Sequence, residues 1–279
     1  MKCAALVLIV GLTWFVFLQV GVLATQPAYR VHCYGAELEH VRAAWQPRVA
    51  ALALARAVRA YRNVPAWIAA WFALSCLAWF VARGAGAIAP CALLGVAALA
   101  IYHPSVGVGT MSSEGPVMFW FTLAAITRKK AATWWPLIGL AAIPFKQTGM
   151  ALVLVAAWLS FADGERIRAY WVAGAGCAVL WLCSCLGGGA LAGPLELQTV
   201  NGVVRLTRNL RLLFVERPSI WLAAGGTVLA GLVAKRDRVL VVMLLIAGVV
   251  AVVGNVWEPR IWIELSALSA GVLGDRRTA

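Results

Sequence analysis

Charge is scarce in this sequence. Only 13% of its 279 residues are Asp, Glu, Lys or Arg, whereas 63% are hydrophobic. An ordinary soluble domain has about 25% charged residues, so this chain carries more apolar surface than a water-soluble core could bury. The shortage of charge excludes a chain built from soluble domains, and the mean hydropathy of +0.86 is typical of a polytopic membrane protein.

Cysteine pairs and metal-binding spacings are lacking as well. Five of the seven cysteines lie inside apolar runs, where a thiol behaves mostly as a small hydrophobic group. Cys183 and Cys185 are two residues apart on a predicted helix and point about 200° away from each other, so they cannot easily share a metal ion. The cysteines therefore predict neither a disulfide framework nor a zinc site.

Long apolar runs are what the sequence has instead. They predict an all-α, polytopic protein with a single integral-membrane domain over residues 1–279 and about ten spans. The fourth to sixth spans are shorter than a bilayer requires, so we expect them to be tilted or partly re-entrant. The first span also resembles a signal peptide, but its apolar run is longer than usual, which favours a retained helix. The predicted spans are 4–24, 65–82, 85–102, 115–127, 131–145, 148–162, 169–186, 219–234, 238–254 and 259–274.

The short loops predict the orientation. Those on one side contain 12 Lys and Arg residues, whereas the short loops on the other side contain only Lys146 and Arg260. The positive-inside rule therefore predicts that both termini are cytoplasmic. Two longer outer loops, 25–64 and 187–218, hold ten further arginines, so an inverted topology stays open. The basic residues of the inner side are Lys2, Arg83, Arg128–Lys130, Arg166, Arg168, Lys235, Arg236, Arg238, Arg276 and Arg277.

The first outer loop contains the stretch YGAELEHVRAAWQPRVAALALARAVRAYRN, which predicts two juxtamembrane helices. One covers residues 36–45, and Pro47 suits the first turn of a second that runs to about residue 62. Four arginines of the second helix fall within about 120° of one another, which is typical of an interfacial amphipathic helix with a basic stripe. The stripe meets either anionic headgroups alone or a substrate phosphate. Its members are Arg48, Arg56, Arg59 and Arg62.

The two outer loops also contain the candidate acid–base and phosphate-binding residues. Glu37 and His40 share one face of the first predicted helix, whereas Glu39 points elsewhere. Glu37 and His40 form either a simple surface pair or a site where a carboxylate acts as general base or binds a metal. Arg205 and Arg208 begin a second basic face, suited to phosphate. Together the basic faces predict a groove for a lipid-linked phosphate, or else two independent headgroup anchors.

Further candidate residues on the predicted outer side are ionisable residues that lie near apolar runs. Lys146, in PFKQTG between two short helices, is costly at such depth unless it is paired or functional, although it could instead snorkel to the surface. Glu264 follows Arg260 by four residues in the last span, which predicts an Arg–Glu pair on one helix face. His103 and Glu258 also fall on the predicted outer side.

In its layout, the chain resembles a short or divergent member of the GT-C integral-membrane glycosyltransferases. The similar features are the acidic first outer loop with its juxtamembrane helices, the short broken helices in the middle, FKQTG before an apolar helix, and a late WEPRIWIEL. The resemblance implies an enzyme of a bacterial inner membrane that takes a sugar from a polyprenyl-phosphate carrier at the extracytoplasmic face. The sequence has no Asp before residue 163, so Glu37 or Glu39 takes the place of the family's first-loop aspartate.

The resemblance also implies roles for the outer residues. Glu37 or Glu39 would deprotonate the acceptor hydroxyl, while cations neutralise the departing phosphate. The expected partners are membrane lipids and a lipid-linked sugar, and oxygen ligands in the first loop would also suit Mg²⁺ or Mn²⁺. Although the net charge is +13, the basic residues flank apolar segments, so no nucleic acid is expected. Other functions that the sequence allows are a transporter or lipid flippase, and a non-catalytic membrane subunit. The substrate-binding set is His40, Arg48, His103, Lys146, Arg205, Arg208, Glu258 and Arg260.

Overall fold

A computed structural model describes residues 2–24, 49–59, 63–101, 111–186 and, later in the chain, 264, 266–268, 270 and 271. Every regular element in these ranges is helical, which confirms the all-α prediction for this part of the chain. Two 3₁₀ turns, Gly84–Ala87 and Arg128–Lys130, join consecutive helices. The late helical residues are called the 264–271 segment. The α-helices are α1 Lys2–Ala24, α2 Val49–Ala57, α3 Val64–Arg83, α4 Ile88–Ile101, α5 Met111–Ile126, α6 Ala131–Ala142, α7 Gly149–Ala162 and α8 Arg166–Leu186.

Three helical stretches are long and apolar enough to cross a membrane, which supports the prediction of a membrane protein. They are Lys2–Val22, Pro65–Ala98 and Arg166–Leu186. Each of the first seven predicted spans coincides with one of the helices α1 and α3 to α8. The predicted spans 219–234 and 238–254, and the predicted helix 36–45, lie outside the described residues.

The stretch Pro65–Ala98 is a hairpin of two helices. Asn63 caps α3 by accepting a 3.1 Å hydrogen bond from the Ala66 amide, and the helix ends before Gly84, whose φ of +56° suits glycine. The Cys91 thiol donates to the Cys76 carbonyl at 3.7 Å, although the two are 15 residues apart, or about 22 Å along a straight helix. The chain therefore reverses at the Gly84–Ala87 turn.

The core is formed by α1 and α3 to α7. Its largest side chains, Trp79, Trp135 and Phe72, are fully buried, and residues of the 264–271 segment pack in the same core. A Cβ atom on Gly271 would lie 3.1 Å from the Ala125 carbonyl oxygen, so this residue fits tightly against the end of α5. A segment late in the sequence thus occupies the centre of the fold. Its buried members are Ala267, Leu268 and Ala270.

Proline in α6 is accommodated by a neighbouring arginine. Pro136 has no N–H to donate to the Ala132 carbonyl four residues earlier. Arg168 supplies the missing donor, because its Nη2 lies 2.9 Å from that carbonyl oxygen. The start of α8 is therefore bound to the start of α6, and α6 continues through the proline to Ala142.

The juxtamembrane helix α2 is shorter than predicted. It covers Val49–Ala57 rather than residues up to 62, so the predicted end was wrong. Arg59 has a φ of +52°, a left-handed conformation that cannot continue a right-handed helix. The Ala50 amide donates to the Pro144 carbonyl at 2.9 Å, which attaches α2 to the turn between α6 and α7. Arg48 and Arg62 of the predicted stripe lie outside the described residues, and Arg59 is exposed.

The helices leave two ends of different character. One end, called the basic end, contains Arg83, Arg128–Lys130 and Arg168. Arg83 and Arg128–Lys130 line one cavity, and Arg168 binds the start of α6. The other, called the Lys146 end, contains the 143–148 turn with α2 attached to it. The grouping agrees with the predicted division of these residues between two sides of a membrane.

Candidate functional site

The turn between α6 and α7 carries the one predicted site residue within the described ranges, Lys146. Pro144 and Phe145 follow the end of α6, and the amides of Phe145 and Lys146 both donate to the Ala142 carbonyl at 2.9 and 3.0 Å. The Gly149 amide in turn donates to the Lys146 carbonyl at 3.0 Å. These bonds fix the backbone on both sides of Lys146 and so fix where its side chain begins.

The Lys146 side chain forms a buried ion pair. Its Nζ lies 3.0 Å from Oε1 of Glu264, and the two side chains are 0% and 1% exposed. Thr148 donates its hydroxyl to the same Glu264 oxygen at 2.7 Å. A buried charge is costly unless it is paired and hydrogen-bonded, and this arrangement meets both requirements. The carboxylate therefore links the α6–α7 turn to the 264–271 segment, and the ammonium lies inside the protein rather than at its surface.

Aromatic side chains surround this end of the bundle. We call five of them the aromatic cluster: Trp67 and Trp71 of α3, Phe119 and Trp120 of α5, and Phe145 of the turn. Trp71 is central, with ring centroids 5.5 Å from Trp67, 5.7 Å from Phe119 and 6.4 Å from Phe145. The Phe145 ring also lies 5.9 Å from Trp120. All five are half-buried, so the cluster keeps some aromatic surface open next to Lys146.

A close helix contact holds the cluster together. Gly115 of α5 lies against Trp71, because a Cβ atom at this position would be only 2.9 Å from the Trp71 Cβ. A larger residue would push α5 away from α3 and separate Trp71 from Phe119. The absence of a side chain at Gly115 thus determines the spacing of the aromatic rings.

Several buried polar atoms in this region have unused hydrogen-bonding capacity. Among the described residues, the indole N–H groups of Trp67 and Trp120 and the Oε1 atom of Gln147 have no hydrogen-bond partner. A buried polar group left unsatisfied costs about 1–3 kcal/mol, so each such group in a native protein requires an explanation, such as a bound water or ion or a catalytic role. Two donors and one acceptor next to aromatic surface provide a setting that suits a hydroxyl-bearing ligand.

Most predicted site residues lie outside the described part of the chain. Within the described ranges there is no group of three or more His, Cys, Asp and Glu that could hold a metal, and the first-loop carboxylates on which the Mg²⁺ or Mn²⁺ prediction rests lie beyond those ranges. The predicted site residues outside the described part are Glu37, Glu39, His40, Arg48, His103, Arg205, Arg208, Glu258 and Arg260.

The structure adds residues that the sequence reasoning did not select. Glu264 binds Lys146 and Thr148, whereas Arg260, its predicted partner, lies outside the described residues. Thr148 lies within the quoted FKQTG, and the spacing of Trp67 and Trp71 by four residues places them on one face of α3. These two patterns could have indicated the polar and the aromatic halves of the site.

Comparison with known proteins found no match to a family model, to a curated protein or to a solved structure. The case for a function therefore rests on the residues themselves. They combine a buried Lys–Glu–Thr network, a half-buried aromatic cluster and a first-loop helix attached at the same turn.

Proposed function

We propose that this protein is a membrane glycosyltransferase of the GT-C type, which moves a sugar from a polyprenyl-phosphate carrier to an acceptor at the extracytoplasmic face. The observation that carries the proposal is the aromatic cluster with its unused hydrogen-bonding groups beside Lys146. Aromatic faces pack against the C–H faces of a sugar ring, and the indole N–H groups of Trp67 and Trp120 suit its hydroxyls.

The first outer loop would supply the base. The hydrogen bond from Ala50 to Pro144 holds α2 at the Lys146 end. Glu39 precedes Val49 by ten residues, a length that can reach at most about 35 Å, so the loop carboxylates can approach the aromatic cluster. Glu37 or Glu39 would take the proton of the acceptor hydroxyl as its oxygen attacks the anomeric carbon and the sugar–phosphate bond breaks.

Arginines would supply the net positive charge for the departing phosphate. Glu264 already balances the charge of Lys146, so this pair orients groups in the site more than it attracts an anion. One Arg guanidinium group can donate to two phosphate oxygens at once, and it keeps its charge at any physiological pH. The proposed phosphate-binding residues are Arg48, Arg205, Arg208 and Arg260, with His40, His103 and Glu258 completing the site. The first-loop carboxylates would suit Mg²⁺ or Mn²⁺.

The same proposal includes ten spans with both termini in the cytoplasm of a bacterium. The basic end would then face inwards, as the positive-inside rule expects, and the Lys146 end would face the outer leaflet, where the lipid-linked sugar is used. The separation of Arg83 and Arg128–Lys130 from Lys146 by the length of α6 supports this orientation.

Glycolipid and glycan analysis of a deletion strain tests the proposed activity. The strain is complemented with the wild-type chain, with Glu37→Gln, with Glu39→Gln, or with the control Glu165→Gln, which removes an exposed carboxylate at the basic end. We expect the amount of product to fall at least 100-fold with one first-loop variant, because general-base catalysis contributes about 10²–10⁴-fold. The control variant should give the wild-type amount of product. Wild-type product levels in both first-loop variants would refute the assignment of the base.

The fully buried Lys146–Glu264 pair favours a second candidate, a transporter or lipid flippase. Ionisable groups inside membrane proteins often line the path of a substrate or proton. In that case Glu264→Gln would abolish movement of a fluorescent anionic lipid across reconstituted vesicles, whereas Glu37→Gln and Glu39→Gln would leave it unchanged. Wild-type movement with Glu264→Gln, or none with the wild-type chain, would exclude this function.

A further inference from the structure

Two cysteines meet in the core between α3 and α4. Cys76 and Cys91 are both fully buried, and both are reduced thiols. The Cys91 thiol lies 3.7 Å from the Cys76 carbonyl oxygen, and the two thiol groups lie within hydrogen-bonding distance of each other. The reversal of the chain at the Gly84–Ala87 turn thus forms a dithiol pair from residues that are 15 positions apart in the sequence.

We propose that hydrogen peroxide converts Cys76 and Cys91 into a disulfide, and that this bond fixes the α3–α4 hairpin. The pair does not belong to the site proposed above, so the proposal does not depend on glycosyl transfer. A disulfide has a sulfur–sulfur bond of about 2.0 Å. Because the two thiols already interact, only a short further approach separates them from this geometry.

The proposed reaction has two steps and consumes one peroxide molecule. First, the sulfur of one cysteine attacks a peroxide oxygen, the O–O bond breaks, and a sulfenic acid and one water form. The sulfur of the second cysteine then attacks the sulfenic sulfur, the S–S bond forms, and the S–O bond breaks to release a second water. Two thiols are oxidised, and peroxide is reduced to two waters. The neighbouring thiol therefore captures the sulfenic acid before a second peroxide can oxidise it further.

Burial affects both the formation and the lifetime of this bond. The thiolate is the reactive form of cysteine, and an apolar core disfavours it, so the pair should react more slowly than an exposed thiol. Hydrogen peroxide is small and uncharged, whereas glutathione is charged and thioredoxins are proteins. Reduction of a disulfide requires an attacking thiolate to reach one of its sulfurs. The buried bond should therefore persist after the oxidant is gone.

The cysteines of α8 provide internal comparisons. Cys177 and Cys185 are exposed, and their separation of eight residues along one helix is about 12 Å, which is too far for a disulfide. Cys183 is buried, as Cys76 is, but it packs against Ile143 and Val153 in a separate apolar cluster. Cys177 therefore reports how much peroxide has reacted, and Cys183 reports what happens to a buried thiol elsewhere in the chain.

Peptide mapping without reduction tests the proposal. The full chain in membrane vesicles is treated with hydrogen peroxide, denatured with N-ethylmaleimide to label the remaining thiols, and digested with trypsin. Arg83 is the only tryptic site between the two cysteines. We expect mass spectrometry to detect peptides 63–83 and 84–128 joined to each other, and dithiothreitol to separate them. Cys177 should be oxidised earlier, and Cys183 should carry the maleimide.

The matched controls are Cys91→Ser and Cys183→Ser. Cys91→Ser should leave Cys76 labelled by the maleimide, whereas Cys183→Ser should still give the joined peptides. Closing a 15-residue loop should raise the thermal unfolding midpoint of the oxidised wild-type chain by roughly 5 °C, with no such rise for Cys91→Ser. Maleimide on both Cys76 and Cys91 after Cys177 has been oxidised, or linkage of Cys76 to another cysteine, would overturn the proposal. An unchanged midpoint of the joined protein would refute its effect on the hairpin.

Discussion

Two ion pairs in this protein each join a basic side chain to a glutamate, but their surroundings are very different. Lys146 and Glu264 are fully buried, whereas Arg168 and Glu165 form a 2.8 Å pair with side chains that are 42% and 52% exposed. Removing one member of a buried pair leaves an uncompensated charge and costs about 3–5 kcal/mol. An exposed pair contributes only about 0–1 kcal/mol, because water replaces the lost partner.

Lys146→Met should therefore lower the free energy of unfolding by about 3–5 kcal/mol, whereas Glu165→Gln should lower it by less than about 1 kcal/mol. Unfolding in mixed micelles, followed by circular dichroism, measures both. The double variant Lys146→Met with Glu264→Leu should recover most of the loss, because it leaves no charge buried. An effect of Lys146→Met as small as that of Glu165→Gln would show that the pair does not stabilise the fold.

The sequence indicated that Lys146 needs a partner, but it did not identify that partner. An ionisable residue between two short apolar helices indicates a need for a partner. The contact between Lys146 and Glu264 was not predicted, because spacing along a helix indicates neighbours three or four residues away and says nothing of contacts between distant segments. The Thr148–Glu264 hydrogen bond joins residues 116 positions apart.

At the level of the helices, α6, α7 and α8 pack through glycines. A Cβ atom on Gly139 would lie 2.9 Å from the Gly149 carbonyl oxygen, and one on Gly176 would lie 2.7 Å from Cγ1 of Val153. Small residues let helices approach closely in a membrane, where no hydrophobic driving force brings them together. The close contacts of these three helices therefore depend on glycine, because a side chain at these positions would collide with the neighbouring helix.

Two glycines of α8 allow a matched test. Gly176→Ala should destabilise the protein by about 1–3 kcal/mol, because Val153 is buried and stiff and cannot move aside. Gly174→Ala, two residues earlier on the same helix, has nothing within 4 Å and should stabilise it by up to about 1 kcal/mol through helix propensity. The thermal unfolding midpoint of each purified variant measures the difference. Equal shifts for the two variants would contradict the close packing of α7 and α8.

The helices were more predictable than their ends and contacts. Apolar continuity identified α1 and α3 to α8 because a helix in a membrane must satisfy its backbone internally and present apolar side chains. The end of α2 could not be read from the arginine pattern, because it depends on the left-handed turn at Arg59. Nor does the sequence indicate that Ala50 binds the Pro144 carbonyl, since that bond arises only when distant segments pack.

Over the whole molecule, the described helices place Arg59 and Glu165 at opposite ends of the bundle. The turn that contains Arg59 follows α2, which is attached to Pro144. Glu165 immediately precedes α8 and pairs with Arg168, which binds the Ala132 carbonyl. The proposed orientation puts the first outside the cell and the second in the cytoplasm.

Cysteine labelling in intact cells tests that orientation. In a chain that carries Cys33→Ser, which removes the native thiol of the first outer loop, Arg59→Cys should react with a membrane-impermeant maleimide. Glu165→Cys should react above the background of the remaining cysteines only after the membrane is permeabilised. Both replaced residues are exposed, so lack of reaction reflects the membrane rather than burial. The reverse pattern would establish the inverted topology.

The link between Thr148, Lys146 and Glu264 has a consequence for how the chain is made. The ribosome synthesises Thr148 116 residues before Glu264, which at about 5–20 residues per second is a delay of roughly 6–23 s. During that interval the ammonium of Lys146 lacks its carboxylate, so the α6–α7 turn cannot take its final buried position until the last part of the chain arrives. We expect a nascent chain that stops before Glu264 to keep this turn open to water and to be degraded, which makes translation of the late segment a checkpoint for assembly.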